Sequence, residues 1–362
     1  MLLPPGAGLG SVGTTSPVPA AEVPLVVSST VAIVPSVRAP NRIRCVPEPL
    51  LSVVVSTHNR PAPLARLLAG LRAQTLEPER FEVIVVDDGS AGEGTQAILS
   101  DELGRGALRL RSVRHPVARG PAGGRNSGWR VAQAPVVGFT DDDCVPEPGW
   151  LAAALEATRE HPGAIVQGRT DPNPSELWCR GVFSRTISVH ALGPHYETCN
   201  IFYPRAVLES LGGFDEAYGP RPTAEDTDLA WRAIEAGSPT AFAPEAGVLH
   251  AVERLGVRGS LSVASRWTPA VRVFAAHPQL RSTLDRRVFW NVWHYLLWRS
   301  LLAFLAPAWL RRMLLTMHLL ELRKRARLAG AGAWAVPFLL VHDVVECWAV
   351  ARGAVRHRTL VL

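Results

Sequence analysis

Short apolar runs alternate with helical patterns between residues 50 and 141, and this alternation constrains the fold more than any other feature of the sequence. The runs LLSVVVS (50–56) and FEVIVV (81–86) are apolar at nearly every position rather than at every second one. Strands of that kind are buried on both faces, as in a parallel sheet that is covered by helices. Because crossovers between parallel strands are right-handed, the pattern predicts a doubly wound α/β sheet.

Helical spacing is clearest in the segment RPAPLARLLAGLRAQ, in which Pro61 suits a first helical turn. Four leucines of this segment fall on one face: Leu64, Leu67, Leu68 and Leu71. Further helices are predicted at about 93–102, from about 122, at 149–160 and from about 224, and further strands at 108–113, 134–140 and 164–170. The stretch 171–198 has no regular pattern, and a pair of strands is predicted to end at GVLHAV (247–252).

The amino-acid composition excludes several classes of protein. With 362 residues, of which 47% are hydrophobic, the chain is long and apolar enough for one large or two ordinary domains. Its five cysteines are scattered and form no CxxC pair, which argues against a disulfide framework or a zinc site and favours a reducing compartment. The net charge of +6 is uneven, since residues 281–362 hold 13 Lys and Arg against 4 Asp and Glu.

Changes in composition divide the chain into three parts. Residues 1–47 are rich in Pro, Gly, Ala, Ser and Val, and they are predicted to form a disordered leader because no helical period survives the prolines. Residues 48–284 carry the α/β pattern, which loosens after about residue 150. Residues 285–362 are basic and rich in tryptophan, and they are predicted to form a C-terminal helical extension.

Three groups of carboxylates stand at the ends of predicted strands or at the start of a predicted helix. Asp87–Asp88 and Asp141–Asp143 each follow a strand, and Glu225–Asp226 begins a helix. In open α/β sheets, ligands bind beyond the carboxyl ends of the strands. Clustered carboxylates repel one another unless a cation neutralises them, and oxygen ligands suit Mg²⁺ or Mn²⁺. The alternative for the triplet is a solvated turn that caps the next helix.

Five motifs occur in order: SVVVSTHNR (52–60), VIVVDDGS (83–90), GGRNSGW (123–129), GFTDDDCVPEPGW (138–150) and AEDTDLAWR (224–232). Together they resemble the family 2 glycosyltransferases of the GT-A fold, over about residues 50–250. The resemblance implies a mixed, mostly parallel sheet flanked by helices, with a nucleotide-binding half at 48–150 and an acceptor half at 151–284. It also implies a metal-dependent, inverting enzyme that moves a sugar from a nucleotide-diphosphate sugar to an acceptor hydroxyl, with Mn²⁺ or Mg²⁺ as cofactor.

The resemblance also implies roles for individual residues. Nucleotide binding is implied for Ser56, Thr57, His58, Asn59, Asp88, Arg125, Asp141 and Asp142, and metal binding for Asp143, Asp141 and His250. Arg125 lies in a glycine-rich stretch whose backbone N–H groups can hold phosphate oxygens at a helix start. Two alternatives stay open, since DDGS is also typical of an Asx turn and a single histidine such as His250 is usually structural.

Asp226 is the implied catalytic base, with Glu225 beside it. A base must be ionised and must lie within hydrogen-bond reach of the acceptor hydroxyl. The like charges of Glu225 and Asp228 are expected to raise the pKa of Asp226, which suits a base that works near neutral pH. The alternative is structural, because Thr223 and Asp226 have a spacing similar to that of a capping box and acidic residues are favoured in a first helical turn.

The tail combines aromatic, apolar and basic residues. It holds six of the eleven tryptophans, and polar or charged residues interrupt its two apolar segments, 288–310 and 333–350. Between them a basic helix is predicted to carry four apolar residues on one face: Leu310, Met313, Leu314 and Met317. The pattern predicts a helix that lies in the membrane interface, and hence a cytoplasmic protein at the inner face of the cell membrane. The alternative is a helical subdomain that packs on the core or on a second copy.

Two other functions would use the same features. A nucleotidyltransferase would also use clustered aspartates, but it usually carries a Gly- and Lys-rich loop where this chain has STHNRPAP (56–63). A non-catalytic module would bind a nucleotide sugar and be anchored by the tail. We expect no nucleic-acid partner, because the basic tail is too apolar for a solvated arm. The expected partners are a nucleotide sugar and a glycan, lipid-linked or small-molecule acceptor of cell-envelope glycan synthesis, with the oligomeric state left open.

Overall fold

The structure, a computed structural model, describes residues 48–362, so the leader predicted at 1–47 lies outside the described residues. Ten strands lie in this range: β1 (Leu51–Thr57), β2 (Phe81–Asp87), β3 (Leu110–Arg114), β4 (Val136–Asp141), β5 (Cys144–Pro146), β6 (Ile165–Pro172), β7 (Ser184–Arg185), β8 (Asn200–Pro204), β9 (Thr240–His250) and β10 (Glu253–Arg254). Eleven α-helices accompany them: α1 (Pro61–Arg72), α2 (Gly94–Arg105), α3 (Pro121–Val131), α4 (Trp150–Glu160), α5 (Arg205–Leu211), α6 (Glu225–Glu235), α7 (Gly256–Ala264), α8 (Arg272–Ala276), α9 (Val292–Leu302), α10 (Ala308–Leu328) and α11 (Val336–Arg356).

Eight of these strands form one sheet in the order β3-β2-β1-β4-β8-β6-β9-β5. The pairs β1–β2, β1–β4, β2–β3 and β6–β9 are parallel. The pairs β4–β8, β6–β8 and β5–β9 are antiparallel. The two-residue strands β7 and β10 pair with each other in a separate small sheet. This mixed, mostly parallel sheet flanked by helices confirms the fold class that the sequence predicts.

Strand β1 is buried on both faces of the sheet. Val53 and Val55 belong to the same apolar cluster as Leu64 of α1, whereas Val54 belongs to the cluster of Trp129 in α3. All three valines are fully buried. Because burying a valine side chain contributes on the order of 1.5–3 kcal/mol, the continuous apolar run strongly favours a sheet that is covered on each side.

Helix α1 forms where its leucine spacing predicts it. The four leucines of its apolar face are buried in the core: Leu64, Leu67, Leu68 and Leu71. Pro61 occupies the first helical position, where its missing N–H costs no hydrogen bond. The helix begins directly after the loop that leaves β1, so this packing also fixes the backbone of Arg60, which is the N-cap residue.

The prediction of two strands that end at GVLHAV is wrong, because this region forms the single strand β9. Its pairing with β6 shifts register between Gly168 and Arg169. The Asn200 side chain stabilises the shift by donating to the carbonyls of Arg169 and Ala246 at 2.7 and 2.8 Å. Position 168 must be glycine, since a Cβ there would collide with the Asn200 side chain. The stretch predicted to be irregular contains β7, which β10 holds in place.

The tail packs on the sheet domain through α11. Val350 and Val361 are fully buried in one apolar cluster with Val271. Gly353 allows the helix to approach the turn that follows α7, because a Cβ at this position would lie 2.5 Å from the carbonyl oxygen of Thr268. Helix α11 therefore supports the segment between α7 and α8.

Some backbone and charged groups of the tail also form hydrogen bonds and ion pairs within the protein. The N–H of Leu362 donates to the Val288 carbonyl at 2.9 Å, and the Leu362 carbonyl accepts from the Trp290 N–H at 2.6 Å. Asp343, in the middle of α11, is buried and contacts Arg325 of α10 at 2.7 Å. The sheet and the tail belong to one compact unit.

Candidate active site

Strand ends bring the predicted acidic groups to one edge of the sheet. Because β1 lies between β2 and β4 in parallel register, Thr57 pairs with Asp87 and Ser56 pairs with Asp141. The ends of these strands face a cavity of about 350 Å³, which we call the acidic cleft. Nine of the residues predicted for the site line it: Ser56, Thr57, His58, Asp88, Arg125, Asp141, Asp142, Asp143 and His250.

The three aspartates of the triplet have different surroundings. Arg60 contacts Asp142 Oδ1 at 3.0 Å and Asp143 Oδ2 at 2.9 Å, whereas Asp141 accepts from Arg125 at 2.9 Å. Burial raises the pKa of Asp142 to about 7, even though Arg60 favours its ionised form. Burial also opposes ionisation of Asp141, but the charge of Arg125 outweighs it and the pKa of Asp141 is lowered.

Asp143 and His250 form the part of the cleft that best suits a metal ion. Asp143 Oδ1 is buried without a hydrogen-bond partner among the described residues and lies 3.8 Å from His250 Nε2. His250 Nδ1 donates to the Ala251 carbonyl at 2.9 Å, which leaves Nε2 free to bind a cation. Cys144 completes this cluster, but burial raises the pKa of its thiol and keeps it protonated. Asp141, the other predicted ligand, lies outside the cluster.

The end of β1 borders the acidic cleft through its side chains. The Thr57 hydroxyl donates to Asp142 Oδ2 at 2.7 Å, which orients that carboxylate toward the strand. Ser56 lies against Gly124 of α3, where the absence of a side chain leaves room for the serine hydroxyl. The glycines of the GGRNSGW motif thus let α3 approach the strand closely.

Asp88 is engaged by the protein through both of its carboxylate oxygens. Oδ1 accepts from His115 Nδ1 at 2.6 Å and from the Arg119 N–H at 2.8 Å, and Oδ2 accepts from the Gly120 N–H at 2.8 Å. Its main-chain carbonyl accepts from His58 Nδ1 at 2.7 Å. Asp88 therefore shapes the loop between β3 and α3, and its contact with a nucleotide base stays a prediction.

The Asx turn considered for DDGS is not formed in its two-residue form, but a wider turn that the Asp87 side chain closes lies beside the cleft. Asp87 Oδ1 accepts from the Ser90 N–H at 2.9 Å, and Gly89 has a φ of 70° in the left-handed region that favours glycine. Asn59 is also left-handed, with a φ of 55°, and its Oδ1 accepts from the Ala91 N–H at 2.7 Å. Asn59 joins the loop after β1 to this turn and is not among the residues that line the acidic cleft.

Arg125 connects the acids of the cleft to the start of α6. This buried residue contacts Asp141 at 2.9 Å and Glu225 at 3.0 Å. Its guanidinium is already paired with two carboxylates, so the predicted binding of phosphate oxygens would have to share it. Glu225 also accepts from the Thr223 N–H at 2.8 Å, and the hydroxyl of Thr223 has no partner within residues 48–362, so the capping box is not formed.

Asp226 stands in the first turn of α6, half-buried at the wall of a second cavity. One of its oxygens accepts from the Thr227 N–H at 2.8 Å. Burial, reinforced by the negative charge of Glu225, raises the pKa of Asp226 from 3.8 to about 8. Asp228 forms a salt bridge with Arg232 at 2.7 Å, which neutralises its charge.

The second cavity has a volume of about 530 Å³ and is called the aromatic pocket after Trp267, Phe274 and Trp290, which line it together with Asp226. It shares four lining residues with the acidic cleft: Arg125, Asp141, Arg185 and Pro222. The two cavities are therefore neighbours, and a ligand in one can reach the boundary of the other.

Sequence reasoning missed several residues that line these cavities, among them Arg60, Arg185, Arg266 and Trp267. Arg60 ends the STHNR motif directly before the first proline of α1, and this position in the motif could have identified it as a site residue. The other three lie in stretches without a regular pattern, and long-range packing alone brings them to Asp226.

Comparison with known proteins agrees with this arrangement. The family model described as Glycosyl transferase family 2 matches residues 52–203, and the one described as Glycosyl transferase family group 2 matches residues 137–342. A mannosyltransferase of Pyrobaculum calidifontis, solved in complex with GDP-Man and Mn²⁺, superposes with a TM-score of 0.52 at 20% identity. The superposition covers 86% of this chain and 87% of that one, and it supports the GT-A fold.

Two relatives of named activity are similar in sequence. The pre-mycofactocin glycosyltransferase of Mycobacterium tuberculosis is 30% identical over 212 residues, which cover 55% of this chain and 42% of the relative. The validoxylamine A glucosyltransferase of Streptomyces hygroscopicus is 29% identical over 280 residues, which cover 67% of this chain and 59% of the relative. The matches thus span about half the length of these relatives. Because the family group 2 model covers more than half of the chain and the motifs and fold agree with it, the chain belongs to family 2 of the glycosyltransferases.

Proposed function

We propose that the protein is an inverting, metal-dependent glycosyltransferase. A nucleotide-diphosphate sugar binds in the acidic cleft, and an acceptor hydroxyl binds in the aromatic pocket. The observation that carries this proposal is the shared wall of the two cavities, where Arg125 links Asp141 on the cleft side to Glu225 next to Asp226. Asp226, which can accept a proton, thus lies on one side of Arg125, and the aspartates that can hold a cation lie on the other side.

The side chains of the cleft fit Mn²⁺ or Mg²⁺. Two ligands of one octahedral ion lie about 3 to 4 Å apart, given bonds of about 2.1 Å. Asp143 Oδ1 and His250 Nε2 are 3.8 Å apart, and the carboxylate oxygen has no other partner among the described residues. An imidazole in the ligand set favours Mn²⁺ over Mg²⁺. When bound, the ion would stabilise negative charge on the departing diphosphate.

Asp226 is the proposed base. In its ionised form it removes the proton of the acceptor hydroxyl, whose oxygen forms a bond to the anomeric carbon while the bond from that carbon to the diphosphate oxygen breaks. Attack from the face opposite the leaving group inverts the configuration of the sugar. Glu225 stays paired with Arg125 and keeps the pKa of Asp226 high, so we assign it a positioning role beside the base.

A screen of nucleotide sugars for Mn²⁺-dependent thermal stabilisation of the full chain tests this proposal. The wild type should melt at a higher temperature with its donor and Mn²⁺, and Asp143→Asn should lose this shift because the variant lacks a charged ligand. Asp101→Asn, on the exposed surface of α2, is the matched control and should keep it. An equal shift in Asp143→Asn would contradict the metal site. Donor binding without turnover in any acceptor screen would favour a non-catalytic binding module.

We also infer that the protein works in the cytoplasm at the inner face of the cell membrane. Large apolar side chains of the tail remain exposed, among them Leu305 (87%), Trp309 (68%) and Trp348 (67%). Arg312 and Lys324 are exposed on α10 and would attract anionic lipid headgroups. This position would suit a lipid-linked or membrane-bound glycan acceptor.

The contacts of α11 favour a helix that lies on the protein surface. Among the described residues, the segment Ala333–Arg356 alone has the length and composition to cross a membrane, and 33% of its most apolar part is buried in the structure. Asp343 pairs with Arg325 of the neighbouring helix, and Gly353 packs closely on Thr268. A helix with this many contacts to the protein would reach lipid through one side only.

A further inference from the structure

The aromatic pocket contains two arginines that the proposed reaction does not use. Arg266 and Arg185 both line it, and neither side chain forms a hydrogen bond or a salt bridge with any residue of the described chain. The Nε atom of Arg266 is buried and has no partner among the described residues. Its guanidinium lies over the ring of Trp267, 4.8 Å from the centroid, and this stacking fixes its position.

The charges around Arg266 leave it without a counter-ion. Arg185 and Arg221 approach it with like charge, and Glu225 is already paired with the arginine of α3. Asp226, the remaining carboxylate near it, is the proposed base and has a raised pKa. Burial, together with the charge of Arg185, lowers the pKa of Arg266 to about 10, so the guanidinium stays protonated at neutral pH.

An unpaired, largely buried guanidinium costs free energy unless a ligand supplies the missing anion. The planar guanidinium group recognises carboxylates and phosphate esters through paired N–H donors. Apolar side chains lie in the same pocket, including Phe274, Leu284 and Trp290. The combination describes a ligand that carries an oxyanion next to an apolar or ring-shaped group.

The position of Arg266 favours the acceptor over the donor as the source of this anion. Arg266 lines the aromatic pocket and not the acidic cleft, where the diphosphate of the donor is proposed to lie. Arg185 lines both cavities and stands at their boundary. Glu197 and Asp226 line the same pocket, so an oxyanion is favoured on the arginine side and a hydroxyl on the carboxylate side.

We propose that Arg266, together with Arg185 at the boundary, forms an oxyanion subsite for the acceptor. The acceptor accordingly carries a carboxylate or a phosphate ester next to an apolar group, and the subsite turns its hydroxyl toward Asp226. The identification of this ligand as the acceptor rests on the proposed function. The anion site itself can be tested without any turnover.

Binding of small probes to the full chain tests the subsite. Phenyl phosphate and benzoate carry the two candidate oxyanions on an aromatic ring, and benzyl alcohol is their neutral counterpart. In NMR titrations the wild type should bind at least one of the oxyanions about 10-fold more tightly than benzyl alcohol, as paired charge-assisted hydrogen bonds predict. Arg266→Gln should lose this preference. Arg258→Gln, at an exposed arginine of α7 that does not line the pocket, is the matched control and should retain it.

Titrations repeated with saturating UDP or GDP and Mn²⁺ locate the bound probe. The oxyanions should still bind, and Arg266→Gln should keep the wild-type affinity for the nucleotide. If nucleotide displaces the probes, or if Arg266→Gln binds nucleotide more weakly, Arg266 serves the donor diphosphate and the proposal is wrong. It is also wrong if the wild type binds benzyl alcohol as tightly as the oxyanions, whether or not the variant folds. Oxyanion binding without any stabilisation by nucleotide sugars would count against the proposed function alone.

Discussion

At the scale of single residues, arginines neutralise most carboxylates of the site. Arg60 contacts Asp142 and Asp143, and Arg125 contacts the acids on either side of the boundary between the two cavities. Asp226 differs, because it forms no salt bridge within the described part of the chain. The sequence predicted the like charge of Glu225 but could not predict burial or the pairing of the other acids. Asp226 is therefore, with Asp142, one of the carboxylates of the site whose charge responds to pH near neutrality.

Activity should rise with pH as Asp226 ionises. Because burial and the charge of Glu225 raise its pKa to about 8, the ionised base is a minor species below that pH. The value of kcat/KM should therefore increase about 10-fold per pH unit up to about pH 8 and then level off. The activity of Asp226→Asn should be about 10²- to 10⁴-fold lower than that of the wild type, whereas its donor binding should be unchanged. A pH–rate profile at fixed donor and Mn²⁺ measures both effects.

Thermal stability checks the same pKa without any substrate. A carboxyl group with a pKa of 3.8 in the unfolded chain and about 8 in the folded one stabilises the fold fully below about pH 4. This contribution is lost between about pH 4 and about pH 8, because the unfolded chain releases the proton in that range while the folded state still holds it. The Tm of Asp226→Asn, relative to that of the wild type, should therefore rise between about pH 4 and about pH 8 and then level off. A pH-independent difference between Asp226→Asn and the wild type would contradict the raised pKa.

At the scale of elements, local sequence patterns predicted some strands and helices correctly and failed for others. The apolar spacing of β1, β2 and α1 predicted these elements, and the acidic groups were expected at strand ends for the same reason. Strand β9 was predicted wrongly because its register shift depends on Gly168 and Asn200, which lie far apart in the sequence. Arg266 and Trp267 lie in a short turn after α7 that has no periodic pattern, so only the packing of α11 against it defines their place.

Gly353→Ala in α11 should destabilise the protein, although alanine in a helix is normally more stable than glycine by about 1 kcal/mol. The added Cβ would lie 2.5 Å from the Thr268 carbonyl oxygen and 2.7 Å from Val271 Cγ2, so the helix would have to move away from the turn. We expect the free energy of unfolding to fall by about 1–3 kcal/mol in urea titrations. Gly104→Ala in α2, where a Cβ meets no atom within 4 Å, is the matched control and should stabilise the protein. A similar increase in the free energy of unfolding of both variants would show that α11 is not in close contact with the turn.

At the scale of the whole molecule, the aromatic pocket is built from distant parts of the chain. Asp226 comes from α6, Trp267 from the turn after α7, and Leu284 and Trp290 from either side of the boundary predicted at residue 285. Composition changes at that boundary because the tail exposes many apolar and basic side chains. The packing of the pocket crosses it, and no local pattern in the sequence reports such a contact.

Membrane binding should depend on the exposed apolar side chains of the tail. The double variant Leu305→Ser and Trp309→Ser should bind anionic phosphatidylglycerol vesicles at least about 10-fold more weakly than the wild type, because each side chain contributes on the order of 1.5–3 kcal/mol when buried in lipid. Leu103→Ser, at an exposed leucine of α2, is the matched control. Co-sedimentation of the full chain measures the effect, since a truncation would remove Trp290 from the aromatic pocket. Equal binding by all three proteins would exclude the tail as the contact.

The hydrogen bonds of Leu362 to Val288 and Trp290 have a practical consequence for preparing this protein. Val361 is fully buried, so a cut or an insertion at residues 361–362 would release a packed segment that holds Trp290 in the aromatic pocket. Preparations for acceptor screening should therefore keep these two residues intact.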